Sequence, residues 1–231
     1  SYASLPRHEI ARVSEILQSQ LLQPVNIYPV QPRLAQSRSF ILQGAGPSDL
    51  SFNEYTTLFN RDRLALQTSA IAGGNSTFGD EVIQSGVWGR MSYSLGQYHY
   101  ETDGFRRNND LVQDLYNVFA QASLSPATSV QGEFRYSESE KGDLSLRFDP
   151  DDYLPTIRQN ERMESGRFGF RHSFSPGSDL LASFIYRNLS DDSTNIFPPP
   201  LSKIFPNRFL STDIEGYMAE VQHLFRSSNF H

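Results

Sequence analysis

Apolar and polar residues alternate with a period of two over two long stretches of this chain. In Val130–Gln131–Gly132–Glu133–Phe134–Arg135–Tyr136 the large even positions are apolar or aromatic, and the odd ones are polar or charged. Gly166–Arg167–Phe168–Gly169–Phe170–Arg171–His172–Ser173–Phe174 repeats the pattern. A period of two places alternate side chains on opposite faces of a strand. Each stretch therefore predicts a strand with one aromatic face and one polar face. The same pattern predicts strands around Leu64 to Ala70, Met91 to Gly96, Tyr116 to Leu124, Leu180 to Tyr186 and Tyr217 to Phe225. Residues 81–89 predict another, with ambiguous facing because Val82 and Trp88 oppose Ile83 and Val87. The total is about eight strands of roughly the 9–11 residues that a tilted membrane strand needs.

Such strands have two homes. In a soluble sheet the aromatic face packs on a core. In a transmembrane barrel it meets lipid, and the polar face lines the lumen. The connections favour the second. Ser125–Pro126–Ala127–Thr128–Ser129 and Ser175–Pro176–Gly177–Ser178–Asp179 are short turns with strong turn chemistry. Gly73–Gly74–Asn75–Ser76 and Gly89–Arg90 also read as turns. Segments 143–163 and 191–213 are long and polar, with Asp, Asn and Pro. Short turns on the periplasmic side and long loops outside are how outer-membrane barrels are built. The expected fold is all-β: an antiparallel up-and-down transmembrane β-barrel, or part of one, over residues 61–231. Loops 101–112, 143–163 and 191–213 should share the extracellular side. Turns 126–129 and 175–179 should share the other, and Tyr98, His99 and Tyr100 should form an interfacial aromatic belt.

Residues 1–60 read as an N-terminal extension. Ile10, Val13, Ile16, Leu17, Leu21 and Leu22 have helical spacing between Pro6 and Pro24, which predicts a short helix. The Pro-spaced segment 23–32 reads as a stiff linker, the alternative being a segment that threads or plugs a pore.

Composition adds to this. The chain has 231 residues, enough for one domain with or without an extension. No run of about 18 apolar residues exists, so no transmembrane helix is expected, and this does not touch a barrel. Phe 17 and Tyr 11 against a single Trp suit lipid-facing bands and aromatic girdles. Cysteine is absent, which removes disulfides, zinc ribbons and thiol nucleophiles. A net charge of -6 without a basic run argues against nucleic-acid binding. The chain starts on Ser with no signal peptide, and Phe230 is followed by His231. The expectation is a cleaved leader or a piece of a longer polypeptide with further strands.

The predicted lumen face carries Arg90, Asn117, Gln121, Gln131, Glu133, Arg135, Arg167, Arg171, Arg187, Glu220 and Gln222. In register, the arginines would form a positive wall suited to carboxylates, phosphates and sulfates. The competing reading is an internal salt-bridge network, with Glu133 and Glu220 as partners, that fills a narrow barrel. Asp143, Asp149, Asp151 and Asp152 read as a solvated acidic loop, since no EF-hand spacing accompanies them. His99, Asp103 and Asp110 are near one another in sequence, but no nucleophile elbow, HExxH, phosphate-binding loop or dinucleotide fingerprint exists. Neither an enzyme nor a bound cofactor or metal is expected.

Gly86–Val87–Trp88–Gly89–Arg90, Gln97–Tyr98–His99–Tyr100–Glu101–Thr102–Asp103–Gly104–Phe105, Ser123–Leu124–Ser125–Pro126 and Arg147–Phe148–Asp149–Pro150–Asp151–Asp152 carry a resemblance. Residues 61–231 resemble a Gram-negative outer-membrane β-barrel. More narrowly, they resemble the porin-like barrel of outer-membrane proteins in which a tetratricopeptide-repeat region precedes the barrel. The strand style is similar to that of TonB-dependent receptors. No tetratricopeptide repeat, plug domain or TonB box can be picked out here. The resemblance implies an outer-membrane location and contact with outer-membrane lipid. It also implies further strands or a periplasmic repeat region as neighbours, and passive passage of a polar solute or polysaccharide. The rivals are a sealed structural or adhesive surface barrel and a soluble β-rich binding module.

Overall fold

The computed structural model describes residues 64–145, 151–196 and 207–226 in full, and Val30–Gln31, Thr56–Thr57 and Arg63 by backbone alone. The expected helix between Pro6 and Pro24 and the Pro-spaced segment, apart from Val30–Gln31, lie outside the described residues. The strands are β1 (Val30–Gln31), β2 (Thr56–Thr57), β3 (Arg63–Ala72), β4 (Phe78–Trp88), β5 (Met91–Thr102), β6 (Leu111–Ser125), β7 (Thr128–Lys141), β8 (Ile157–Ser175), β9 (Ser178–Asn195) and β10 (Arg208–Phe225). β1 and β2 pair with each other. β3 to β10 form one antiparallel sheet in which each strand pairs only with its neighbours in sequence. This is an up-and-down meander with β3 and β10 as its edges. These two edges do not pair with one another, so the sheet is open among the described residues.

Connections alternate in length. Gly89–Arg90, Pro126–Ala127 and Pro176–Gly177 make the tight turns at one end. Each tight turn is tied to a strand beyond its own hairpin. The carbonyls of Arg90, Ala127 and Gly177 accept hydrogen bonds from the amides of Ser123, Ser173 and Arg226 at 2.8, 2.8 and 2.6 Å. The other end carries the β3–β4 turn and the loops that follow β5, β7 and β9. The loops are shorter than expected from the sequence. β7 runs on to Lys141, β8 starts at Ile157, β9 runs on to Asn195 and β10 starts at Arg208. Polar residues occupy both faces of these strand ends, which erases the alternation that marks a strand.

The faces of the sheet are inverted relative to a water-soluble fold. Ser85 and Ser94 are 0% exposed, and Gln113, Asn117, Glu133, Arg135, Ser137 and Arg167 are buried. On the opposite face, Trp88 is 83% exposed, and Leu95, Val118, Phe134, Phe168, Phe184 and Val221 are exposed. Register makes this a continuous apolar band. One row across it reads Trp88, Met91, Ala122, Val130, Phe170, Ala182 and Val221. A second row reads Gln84, Leu95, Val118, Phe134, Gly166, Tyr186 and Tyr217. Between these rows the Tyr93 ring lies over Gly86, where an added Cβ would come within 2.8 Å of it. Along β6 the band runs from Tyr116 to Leu124, roughly 27 Å of strand.

Toward the loops polar residues replace most of the band, with Phe78 and Val112 still exposed beyond it. Two rows above the second, the same face presents Asp80, His99, Asp114, Glu138, Arg162, Ser190 and Asp213. β4 resolves its ambiguity within this frame. Val82 and Trp88 lie on the exposed face while Ile83 and Val87 lie on the buried one, so both faces are apolar. Ile83 packs with Leu115 and the partly buried Tyr98 in a small apolar cluster on the buried face. The expected belt of Tyr98, His99 and Tyr100 is therefore corrected. Strand alternation turns Tyr98 and Tyr100 to the buried face and only His99 outward. Tyr116, Tyr136, Tyr186 and Tyr217 hold the upper margin of the band instead.

Candidate functional site

The buried face collects the polar residues. β6 brings Asn117 and Gln121, β7 Gln131, Glu133 and Arg135, β8 Arg167 and Arg171, β9 Arg187, and β10 Glu220 and Gln222. Pairing places Asn117, Arg135, Ser165 and Arg187 in one row and Glu133 beside Arg167 in the next. Gln121, Gln131, Gly169, Ser183 and Glu220 form a third row. Arg171 and Gln222 share a fourth with Leu181 between them. Arg90 is not part of this face. It sits exposed in the β4–β5 turn.

The arginines do not make an uninterrupted positive wall. Glu133 forms an ion pair with Arg167, and the two side chains are 2% and 3% exposed. Asn117 Nδ2 donates to the other Glu133 carboxylate oxygen at 2.7 Å. Arg171 pairs with Asp179 at 3.1 Å, and Ser173 donates to the same carboxylate. Arg135 and Arg187 are engaged as well. Further along, Gln121 Nε2 donates to Ser92 Oγ at 2.6 Å, and Gln222 Nε2 donates to Glu220 at 2.5 Å. Register is the cause: the pairing that aligns the apolar rows outside also sets Glu133 opposite Arg167 inside. A buried charge without a partner is costly, so a carboxylate inside each arginine cluster is what lets this face exist.

A second site lies at the loop end, and sequence reasoning missed it. Arg106 and Asp143, both with side chains 2% exposed, approach to 3.7 Å across two loops. The Arg106 guanidinium also donates to the carbonyls of Asp143 at 3.0 Å, Asp152 at 3.2 Å and Ser145. Asp143 accepts from the amides of Ser145 at 3.1 Å and Leu154 at 2.8 Å. Asn109 Nδ2 donates to the Asp143 carbonyl at 2.8 Å, while its Oδ1 accepts from the Phe105 amide at 3.2 Å. Gly104 has φ +74 and lies so close to Asn109 that a Cβ there would sit 2.2 Å from its carbonyl oxygen. Asp143 is therefore no member of a solvated acidic loop. It is the buried organiser of the loop end. Asp149 lies outside the described residues, and no group of metal-ligating side chains occurs among the described ones. The only signals in the sequence were Gly104 and a lone basic pair at Arg106–Arg107, because Arg106 and Asp143 are distant along the chain.

Between the β3–β4 turn and the β5–β6 loop is an open cleft of about 700 Å³, whose lining includes Asn75, Asp103, Phe105, Arg107 and Asp110. Phe105 is 57% exposed. Asp110 pairs with Arg158. His99 lies below the cleft on the outer face, beyond the apolar band, 2.8 Å from Asp114. The hydrogen bond to Asp114, with the charges of Asp114, Glu101 and Asp80, raises its pKa against the opposing effect of burial. On the same face, hydrogen bonds from Tyr136 and then Arg162 hold the Glu138 carboxyl below the usual range. The sequence grouping of His99 with Asp103 and Asp110 does not form. His99 faces away from the buried side and takes Asp114 as its partner.

Every element above is an antiparallel strand or a connection between two of them. The class defined by fold and faces is an up-and-down β-meander with a polar buried face and an apolar exposed one. No protein family, curated protein or solved structure matches the chain.

Proposed function

We propose that this chain forms the wall of a bacterial outer-membrane β-barrel, and that its polar face borders a hydrated conduit for polar solutes or polysaccharide. The observation that carries the reading is the inversion of the two faces. In water, an exposed band of this size marks an interaction surface or an aggregation hazard. In a bilayer it is the lipid-facing belt, with aromatic residues at its margin and charged residues directly beyond. Backbone groups cannot stay unpaired in hydrocarbon. The reading therefore requires the edges β3 and β10 to be paired in the membrane, with each other or with further strands. Transport is passive, with selectivity set by the charge pattern of the polar face and no covalent step.

The Glu133–Arg167–Asn117 network supports a second reading, a sealed barrel with a structural or adhesive role. Eight-stranded interiors are just filled by side chains. One experiment tests both readings. The chain is extracted in detergent from membranes of its source, run on a gel with and without boiling, and reconstituted into planar bilayers. A heat-shifted band with ohmic conductance supports the conduit. A heat-shifted band without conductance supports the sealed barrel. Release by salt alone, with no heat shift, refutes the membrane reading.

A further inference from the structure

The loop-end cleft is built with more care than a solvated loop needs. Buried Arg106, Asn109 and Asp143 fix the β5–β6 loop, and the tight passage at Gly104 leaves it one backbone path. What this frame holds out to solvent is Phe105, a rigid phenyl ring on the rim of a cleft with both apolar and polar lining. The Arg106 guanidinium lies 5.4 Å from the ring centroid. The other lining groups are mixed rather than of one charge. Asp103 offers a carboxylate, Asn75 an amide, Ser76 a hydroxyl and Arg107 a guanidinium. Asn75 and Ser76 both adopt positive φ, of 56 and 53 degrees, so the turn that presents them has a defined shape.

Each kind of ligand makes its own demand on a site. An anion would need a basic excess, and here Asp103 and Glu101 offset Arg107. A cation would need converging carboxylates, and none converge among the described residues. A wholly apolar ligand would cover the charged Asp103 and Arg107 of the lining without offering them a partner. A neutral sugar fits, because its hydroxyls both donate and accept and its ring carries an apolar face of C–H groups. It takes carboxylate, amide and guanidinium partners together with an aromatic platform.

We propose that this cleft binds a neutral saccharide unit, with Phe105 stacked on the apolar face of the ring and Asp103, Asn75 and Arg107 bonded to its hydroxyls. The inference deepens the conduit reading, on which it rests, by naming the solute class met at the loop end.

The test uses the full chain in detergent micelles and saturation-transfer NMR with maltohexaose, cellohexaose, mannohexaose and a charged trigalacturonate. At least one neutral oligosaccharide should receive saturation. Phe105→Ala and Asp103→Ala should each weaken that binding about tenfold or more, as expected for loss of an aromatic platform or of a hydrogen bond to a charged group. Both residues are exposed, so the variants should keep the wild-type heat shift. Three results overturn the inference: no neutral oligosaccharide binds, only trigalacturonate binds, or both variants bind as wild type does. With heat shift and conductance intact, such a result sinks the saccharide site alone. A wild-type chain that shows no heat shift sinks the membrane reading instead.

Discussion

Replacing Glu133 with Leu tests the nature of the buried face. Glu133 is the shared acceptor of two neighbours, Asn117 Nδ2 at 2.7 Å and the Arg167 guanidinium. Removing it strands a guanidinium whose side chain is 3% exposed, and leaves the Asn117 amide without that acceptor. Breaking a buried pair from one side costs about 3–5 kcal/mol. Arg167→Met should cost a similar amount, since it leaves the carboxylate alone. The double variant Glu133→Leu/Arg167→Met removes both charges and should cost less than either single change, giving a coupling energy of about 2 kcal/mol or more. The assay is urea unfolding of the four proteins in lipid vesicles, read by the fraction that keeps the unboiled gel mobility. Additive single effects below about 1 kcal/mol would refute the reasoning, because exposed pairs contribute about that much. The pair would then stand in water, and the polar face would be a wet wall even at its most crowded point.

Other perturbations test other parts of the fold. Val118→Arg, at the centre of the exposed band, should destabilise the vesicle-inserted protein by about 2–4 kcal/mol in urea titrations if the band faces lipid. Equal stability of variant and wild type would remove the lipid-facing assignment. Arg106→Ala should open the loop end and leave the strands intact. The check is limited proteolysis, with new cuts expected within 103–110 and 142–156 but an unchanged heat shift; cuts spreading into the strands would contradict the separation. The His99–Asp114 pair should stabilise the protein fully below the ordinary histidine value of about 6.5. That contribution should fade as pH rises through the raised folded value. Thermal unfolding between pH 5.5 and 8.5 should show the slope in wild type and lose it in Asp114→Asn; identical profiles would exclude the pair as its source.

The strands of the band were legible because a two-sided sheet writes its faces into the sequence. Phe134 and Phe168 could only share a side, and Glu133 and Arg167 the other. That legibility failed for separable physical reasons. In β4, Ile83 and Val87 pack inside the sheet while Val82 and Trp88 face out, so alternation carries no contrast. Above the band, Glu138, Glu140, Arg158 and Arg162 face water on strands whose inner positions are also polar, so these strand ends look like loop. The sequence left the arginine wall and the internal salt-bridge network both open, because register decides which side chains become neighbours, and register is a property of pairs of strands. Arg106 and Asp143 were missed for the same reason on a larger scale: their meeting depends on two loops arriving at one place. Tyr98 and Tyr100 were assigned by residue type, where the parity of their own strand decides.

The strands continue well past the apolar band. β9 runs nine steps from Tyr186 to Asn195, and β10 pairs with it along that whole length. At about 3.3 Å per step this is roughly 30 Å of paired sheet beyond the Tyr186–Tyr217 pair. On the outer-membrane reading, these strand ends form a stiff rampart that stands clear of the lipid surface. Large visitors such as antibodies and long glycans would then meet these strand ends before the cleft, which sits at the ends of the shorter β4, β5 and β6. On that reading, sequence change at the strand ends alters what is met there and leaves the apolar band of the sheet untouched.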